Sequence, residues 1–282
     1  MTSRSSSVFS PAAPVCAFVS CYRYTDEPSA DRTVAVPVIG SPEVRLIFGL
    51  DTPFEVFEHR RARLRQLPRA ILVGPQAECV ASLLVGGPSR SFAACFRPAG
   101  YYRLFRQRVS ALADDALDAA DVLGHGISAL HSRLCELTDP GRMTAAVDQF
   151  LTGAASRAVR AAGPVVTAGQ HLARQHGRIS IAAVVRESGL SRRLFEREFL
   201  NHFGMAPKRF ARVSRLAFVL RLRDAEPDLT WTELGCRAGY FDQAHMDKDF
   251  RALAGVPPTH LLRSPRIPPA DNSYYPSLSP SF

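Results

Sequence analysis

SIAAVVRESGLSRRLFEREFLNHFGMAPKRF, Ser180–Phe210, and LTWTELGCRAGYFDQAHMDKDFRALAGVPPTH, Leu229–His260, follow one plan. Each begins with a short helix of apolar periodicity, breaks at a glycine, and resumes in a second helix behind a capping residue. In the first stretch Ser180 caps a helix over Ile181–Glu187, with Ile181, Val184 and Val185 on its buried face. Ser188-Gly189-Leu190 is the turn, where glycine takes a positive φ that other residues adopt poorly. Ser191 caps the second helix, accepting from the N–H of Arg193 or Leu194. Phe195, Phe199 and Phe203 recur at i, i+4 and i+8 and face the core. Arg192, Arg193, Glu196 and Arg197 occupy the first turns away from that face. Two such helix-turn-helix units side by side are the pattern of a DNA reader.

The unit ends at Gly204-Met205-Ala206-Pro207, and Pro207 starts a helix well because its missing N–H is not needed there. The linking helix, Pro207–Leu222, carries Phe210, Val213, Leu216, Ala217 and Leu220 on one face and a run of arginines around it. Sixteen residues at 1.5 Å each give a strut of about 24 Å. In the second unit Thr230-Trp231-Thr232-Glu233 is a capping box. Leu234 and Ala238 point inward, Gly239 turns, and Asp242 caps a helix whose Met246, Phe250 and Leu253 make the core face. Gln243, Ala244, His245, Lys248 and Arg251 face outward. Arg193 and Arg197 suit guanine O6 and N7, Glu196 suits cytosine N4, and Gln243 suits adenine. Lys248 suits guanine or phosphate. Asp247 and Asp249 beside Lys248 would repel phosphate, so the second reader is expected to be the weaker.

Charge agrees in sign and place. The net charge is +9 with a pI near 9.7. Between His171 and Arg266, 17 Lys and Arg face 10 Asp and Glu, so most of the excess sits where release of DNA counterions would use it. The six cysteines (Cys16, Cys21, Cys79, Cys95, Cys135 and Cys236) form no CxxC and no zinc-finger spacing, and read as scattered reduced thiols. No metal or other cofactor is expected. No apolar run reaches the roughly 20 residues that span a bilayer, and the Ser/Pro/Ala-rich N-terminus lacks an h-region. The expected location is cytoplasmic.

The front half reads as β structure followed by helices. Thr33–Ile39, Val44–Leu50, Ala70–Val73, Cys79–Val85 and Ser91–Phe96 have strand character and turn signals between them, which predicts a small barrel or sandwich. Ala111–Leu123, Gly126–Leu137 and Gly141–Arg160 have helical periodicity and could form a coupling layer or dimer surface. No Gly-rich phosphate loop, GxSxG or HExxH occurs, and His59, His125 and His131 stand alone. Cys95–Gly100 reads as a strand end turning into a helix, or as a rim where Arg97 meets an effector. The expected organisation is a disordered tail (1–13), a sensor or dimerisation domain (14–160), a linker (161–166), the DNA-binding domain (167–263) and a disordered tail (264–282). The fold class is α+β, a β-rich domain with following helices and then an all-α domain.

The back half resembles the AraC/XylS-type DNA-binding domain. The resemblance rests on Gly189-Leu190-Ser191, Arg197-x-Phe199, Phe203-Gly204-x-x-Pro207, Arg215-Leu216, Ala238-Gly239-Tyr240, Phe250 and Gly255-Val256-x-Pro258. It implies base contacts from Arg193, Glu196 and Arg197 and from Gln243, Ala244, His245 and Lys248. It also implies two recognition helices in successive major grooves. The sequence departs from the family at Val185 and Gly235, where a small Ala is usual, and at Met246, where a Phe is usual. The front half resembles the N-terminal domain of one AraC-type subgroup, through Pro37…Gly40…Leu46-Ile47-Phe48, Val73-Gly74-Pro75 and Phe96-Arg97-Pro98-Ala99-Gly100. That implies a sensing or dimerising role with cupin-like β structure. The expected partners are double-stranded DNA, RNA polymerase, a small-molecule or protein effector and a second copy of the chain, with no membrane. Two other readings remain: a DNA alkyl-transfer repair protein, which wants an activated zinc–cysteine cluster, and a protein-interaction module with weak DNA binding.

Overall fold

The computed structural model describes residues 5–27, 33–158 and 161–261 of the 282-residue chain. Its strands are β1 (Ser5–Phe9), β2 (Val19–Glu27), β3 (Val34–Pro37), β4 (Arg45–Gly49), β5 (Glu55–Glu58), β6 (Arg63–Gln66), β7 (Ala70–Val73), β8 (Ala81–Val85), β9 (Ser89–Phe96) and β10 (Ala116–Asp118). The helices are α1 (Gly100–Phe105), α2 (Ala119–Leu123), α3 (Gly126–Glu136), α4 (Pro140–Ala155), α5 (Pro164–Arg174), α6 (Ile181–Ser188), α7 (Arg192–Phe203), α8 (Pro207–Ala225), α9 (Trp231–Arg237), α10 (Gln243–Ala254) and α11 (Pro258–Leu261).

The strands form two antiparallel sheets, one of six strands in the order β1-β2-β9-β4-β7-β10 and one of four in the order β3-β8-β5-β6. Side chains alternate across a strand, so each face of the larger sheet has its own composition. Tyr22, Phe92, Phe96, Leu46, Phe48 and Leu72 point to one side and pack under α1, α3 and α4 with Ile127, Leu134 and Val147. Arg23, Thr25, Arg45, Ile47, Ile71 and Cys95 point to the other side and line a cavity against the smaller sheet. The barrel-or-sandwich expectation thus resolves into two sheets with a cavity between them.

Several elements differ from the sequence expectation. Residues 5–13 are ordered, not a disordered tail: β1 pairs with β2 from Ser5↔Asp26 to Phe9↔Tyr22. Backbone pairing needs no apolar side chains, and the Ala12 N–H adds hydrogen bonds of 3.1 and 3.2 Å to Asp148. The expected helix Ala111–Leu123 is a 3-10 turn (Val109–Ala111), then β10, then α2. Asp114 breaks it, with φ 58° and a carboxylate that accepts from the Ala77 N–H at 2.6 Å. The next residues pair with the open edge of β7, a tertiary contact that overrides helix propensity. The expected linker at 161–166 is shorter, because Pro164 opens α5 and Val165 and Val166 are buried. The expected tail at 264–282 lies outside the described residues.

The two halves share a core. Val36, Ile39, Ala77 and Ala99 of the front half belong to the same buried cluster as Phe195, Phe199, Phe203, Phe210, Leu234 and Phe250. The Gly40 N–H donates to the Leu253 carbonyl at 2.8 Å, and Glu78 pairs with Arg209. Among the described residues no helix is long and apolar enough to cross a membrane.

Candidate nucleic-acid interface

Both helix-turn-helix units form as their local chemistry dictates. Ser180 accepts from the Ala183 N–H and caps α6, and Ser191 accepts from the Leu194 N–H and caps α7. Thr230 and Glu233 complete the capping box of α9, and Asp242 accepts from the His245 N–H to cap α10. The turn glycines take left-handed backbone, with φ 66° at Gly189 and 80° at Gly239. A side chain at either position would add strain within the turn that aims the recognition helix.

The inward faces are closed. Phe195 and Phe199 are fully buried, with ring centroids 5.4 Å apart, and Phe203 stacks on Phe199 at 4.2 Å. Each such phenylalanine contributes on the order of 3 kcal/mol against truncation. In the second unit Met246, Phe250 and Leu253 are buried, and Trp231 meets Phe250 edge-on at 5.8 Å. Gly235 and Met246 meet here: a side chain on Gly235 would lie 3.2 Å from the Met246 sulfur. The missing methyl makes room for the flexible thioether.

On the outward side of α7, Arg192, Arg193, Glu196 and Arg197 are all exposed. Arg192 donates to Glu196 at 2.9 Å, one helical turn away, and Arg197 donates to Glu198 at 3.0 Å. Both pairs are largely in water and worth little on their own, so each arginine can exchange its partner for phosphate or a base edge. Without DNA, the Glu196 carboxylate is engaged by Arg192.

Along α10, Gln243, Ala244, His245, Lys248 and Arg251 are likewise exposed. Gln243 accepts from the Thr232 hydroxyl at 3.3 Å, and the His245 ring lies edge-on to Tyr240 at 5.2 Å. Asp249 differs from its expected position. It is 2% exposed, faces inward and receives the Arg212 guanidinium at 2.8 Å. It therefore does not confront phosphate beside Lys248, and only Asp247 keeps that role. Sequence reasoning also missed Phe241, 93% exposed at the entrance to α10. Its place just before the cap is the one available signal, since an apolar ring with no packing partner is unusual at a helix start.

The arginines of α8 are not a free basic track. Arg212 holds Asp249, Arg215 donates to the Gly177 carbonyl at 3.0 Å and lies over Tyr240, and Arg223 donates to the Leu229 carbonyl at 2.8 Å. Arg209 binds Glu78. Arg221 meets His176 at 3.1 Å, where burial and the charges of Arg221 and Arg178 push the imidazole down to about 4. The linking helix spends its charge joining the two units to each other and to the β domain. At 19 residues it is about 28 Å long.

The β domain grips both recognition helices at their C-terminal ends. Gly204, which ends α7, abuts Pro75 and Val109, and His202 lies edge-on to Tyr102 with centroids 3.9 Å apart. At the end of α10 are the Gly40–Leu253 hydrogen bond and the approach of Gly255 to Cys79. The N-terminal ends, which carry the candidate base readers, stay open.

The front half adds a cavity of about 430 Å³ between its sheets. Arg97 is not among its lining residues; it donates to the Cys16 carbonyl at 2.7 Å and fixes the strand-to-helix turn. Buried near the cavity, Glu43 has its carboxyl pushed up to about 8 by burial, with Arg45, Arg23 and Arg221 opposing the shift. Among the described residues no three His, Cys, Asp or Glu side chains group as a metal site.

Residues 184–264 match a helix-turn-helix domain family, and residues 7–118 match a domain of unknown function (DUF6597). No curated protein matches the chain. Among solved structures, ToxT from Vibrio cholerae is similar at 10% identity, over 93% of this chain and 98% of that one, with a TM-score of 0.49. ToxT from Vibrio cholerae strain SCE256 with an unsaturated fatty acid bound is similar at 12% identity, over 93% and 96%, with a TM-score of 0.48. The AraC-like transcriptional activator CuxR is similar at 15% identity, over 76% and 94%, with a TM-score of 0.27. The chain carries a helix-turn-helix domain behind the domain of unknown function, which supports a DNA-binding protein.

Proposed function

We propose that the chain is a sequence-specific transcriptional regulator that inserts α7 and α10 into two successive major grooves. Arg193 and Arg197 are the main base readers, with Arg192 and Glu196 beside them. Gln243, Ala244, His245, Lys248 and Arg251 read or clamp the second groove. Phe241 adds an apolar contact of the kind a thymine methyl accepts. The observation that carries this reading is the pair of capped helices whose polar N-terminal ends are exposed while their far ends are buried against one scaffold. Successive major grooves are about 34 Å apart on one face of the duplex, and slight bending brings them to a shorter strut.

The β domain is the regulatory half in this reading. Its cavity falls within the roughly 300–1,000 Å³ typical of small-molecule sites, and the domain touches both readers. An effector that altered the sheets would act on both helices at once, and a second copy or RNA polymerase would meet the faces left exposed. Titrating fluorescent duplex DNA with the protein at 50 and 200 mM salt tests the premise. Affinity is expected to fall by orders of magnitude, because each counterion released by a phosphate contact gains less entropy in the saltier solution; a flat response would sink the DNA reading.

A further inference from the structure

Two of the six cysteines are not scattered. Cys21 on β2 and Cys95 on β9 are directly opposite in the antiparallel register, and both are buried, at 3% and 1% exposure. Cβ atoms so opposed lie about 4.5–5.5 Å apart, and a disulfide needs about 3.5–4.5 Å. The register irregularity between Val19 and Cys21 gives β2 the local freedom to close that gap. The facing Cys95 thiol holds Cys21 below the usual thiol range, with help from Arg23, Ser20 and Arg97, against burial. The Cys21 sulfur and burial raise Cys95. Cys95 lines the cavity, so a small molecule entering there comes up against this pair.

The other cysteines lack this setting. Burial pushes Cys79 up to about 11 and raises Cys135. Cys16 and Cys236 are exposed, and no second thiol opposes either of them among the paired strands.

We propose that Cys21 and Cys95 form a reversible disulfide in the cavity wall, with a hydroperoxide as oxidant. Cys21 ionises, its proton passing to solvent, and the thiolate attacks the distal peroxide oxygen. The O–O bond breaks, the leaving alkoxide takes the Cys95 thiol proton and departs as alcohol, and Cys21 becomes a sulfenic acid. The Cys95 thiolate then attacks the Cys21 sulfur and expels hydroxide, which takes back one proton from solvent and leaves as water. Two thiols and one hydroperoxide yield one disulfide, one alcohol and one water. Strands drawn together by the bond leave it open to reduction by dithiols.

The test uses the full chain, fully reduced and then treated with stoichiometric hydrogen peroxide. Free thiols are blocked in denaturant, and the peptides are mapped by mass spectrometry. Titratable thiols should fall from six to four, with one linkage joining the Cys21 and Cys95 peptides and reversed by dithiothreitol. Cys95→Ser should leave a Cys21 sulfenic acid that dimedone traps. Six surviving thiols, or a different linked pair, would overturn the site.

Discussion

The two helix-turn-helix units share their local chemistry and differ in what they show to solvent. α7 presents three arginines and a glutamate. α10 presents a glutamine, an alanine, a histidine and a lysine, with Arg251 in its last turn and Phe241 at its entrance. The sequence also implied a repulsive acidic pair in the second unit, but half of that pair is buried under Arg212. The first turn of α10 is therefore more neutral than that of α7, and Asp249 adds no negative charge to its exposed face. Charge read along a chain separates from charge read across a surface wherever a helix turns a residue inward.

Asp249→Ala separates the two descriptions with the largest effect. It strands the Arg212 guanidinium, which is 32% exposed, so stability should drop by about 3 kcal/mol. A carboxylate that merely repelled phosphate would instead give tighter DNA binding at unchanged stability; urea unfolding beside a DNA titration distinguishes them.

Glu43→Gln probes the scaffold that holds both readers. The folded carboxyl sits at about 8, above its unfolded value near 4.3. The folded state therefore keeps a proton that the unfolded chain loses, and the resulting stability is lost as pH rises from about 4.3 toward 8. Glutamine has no such loss, so thermal melts should show the variant gaining on the parent steadily across that window. Parallel pH profiles would contradict the placement of Glu43.

Smaller effects compare the readers directly. Arg197→Ala should cost about 1–3 kcal/mol in DNA binding and relax preference at one base position. Lys248→Ala should cost about 1 kcal/mol or less and weaken all sequences alike, as a phosphate contact does. Competition with random DNA measures both. Equal losses on specific and random DNA for Arg197→Ala would make it a phosphate anchor and erase the difference between the units.

What could be read from the sequence was local. The Phe195-Phe199-Phe203 stripe, the caps Ser191 and Asp242 and the Thr230–Glu233 box lie within one or two helical turns, so spacing alone revealed them. The strands β4, β7 and β9 announced themselves by apolar residues on both faces. β2 did not, because its cavity face carries Arg23, Thr25 and Glu27. β5 and β6 are short and charged, and β10 hid within an alanine-rich stretch. The Cys21–Cys95 pair, the Arg212–Asp249 bond and the grip of Gly40 on Leu253 join residues far apart in the chain. No periodicity reports such contacts. Exposure was equally hidden, and nothing in the spacing around Phe241 reports that its ring lies in solvent.

The central claim is that one chain reads two successive grooves and that α7 dominates. Selection of binding sites from a randomised duplex, run on the parent and on the Arg193→Ala/Arg197→Ala variant, tests it most directly. The parent should select two short conserved blocks about 10 base pairs apart, the variant should lose the stronger block and keep the weaker. A single block, or loss of both blocks together, would contradict it.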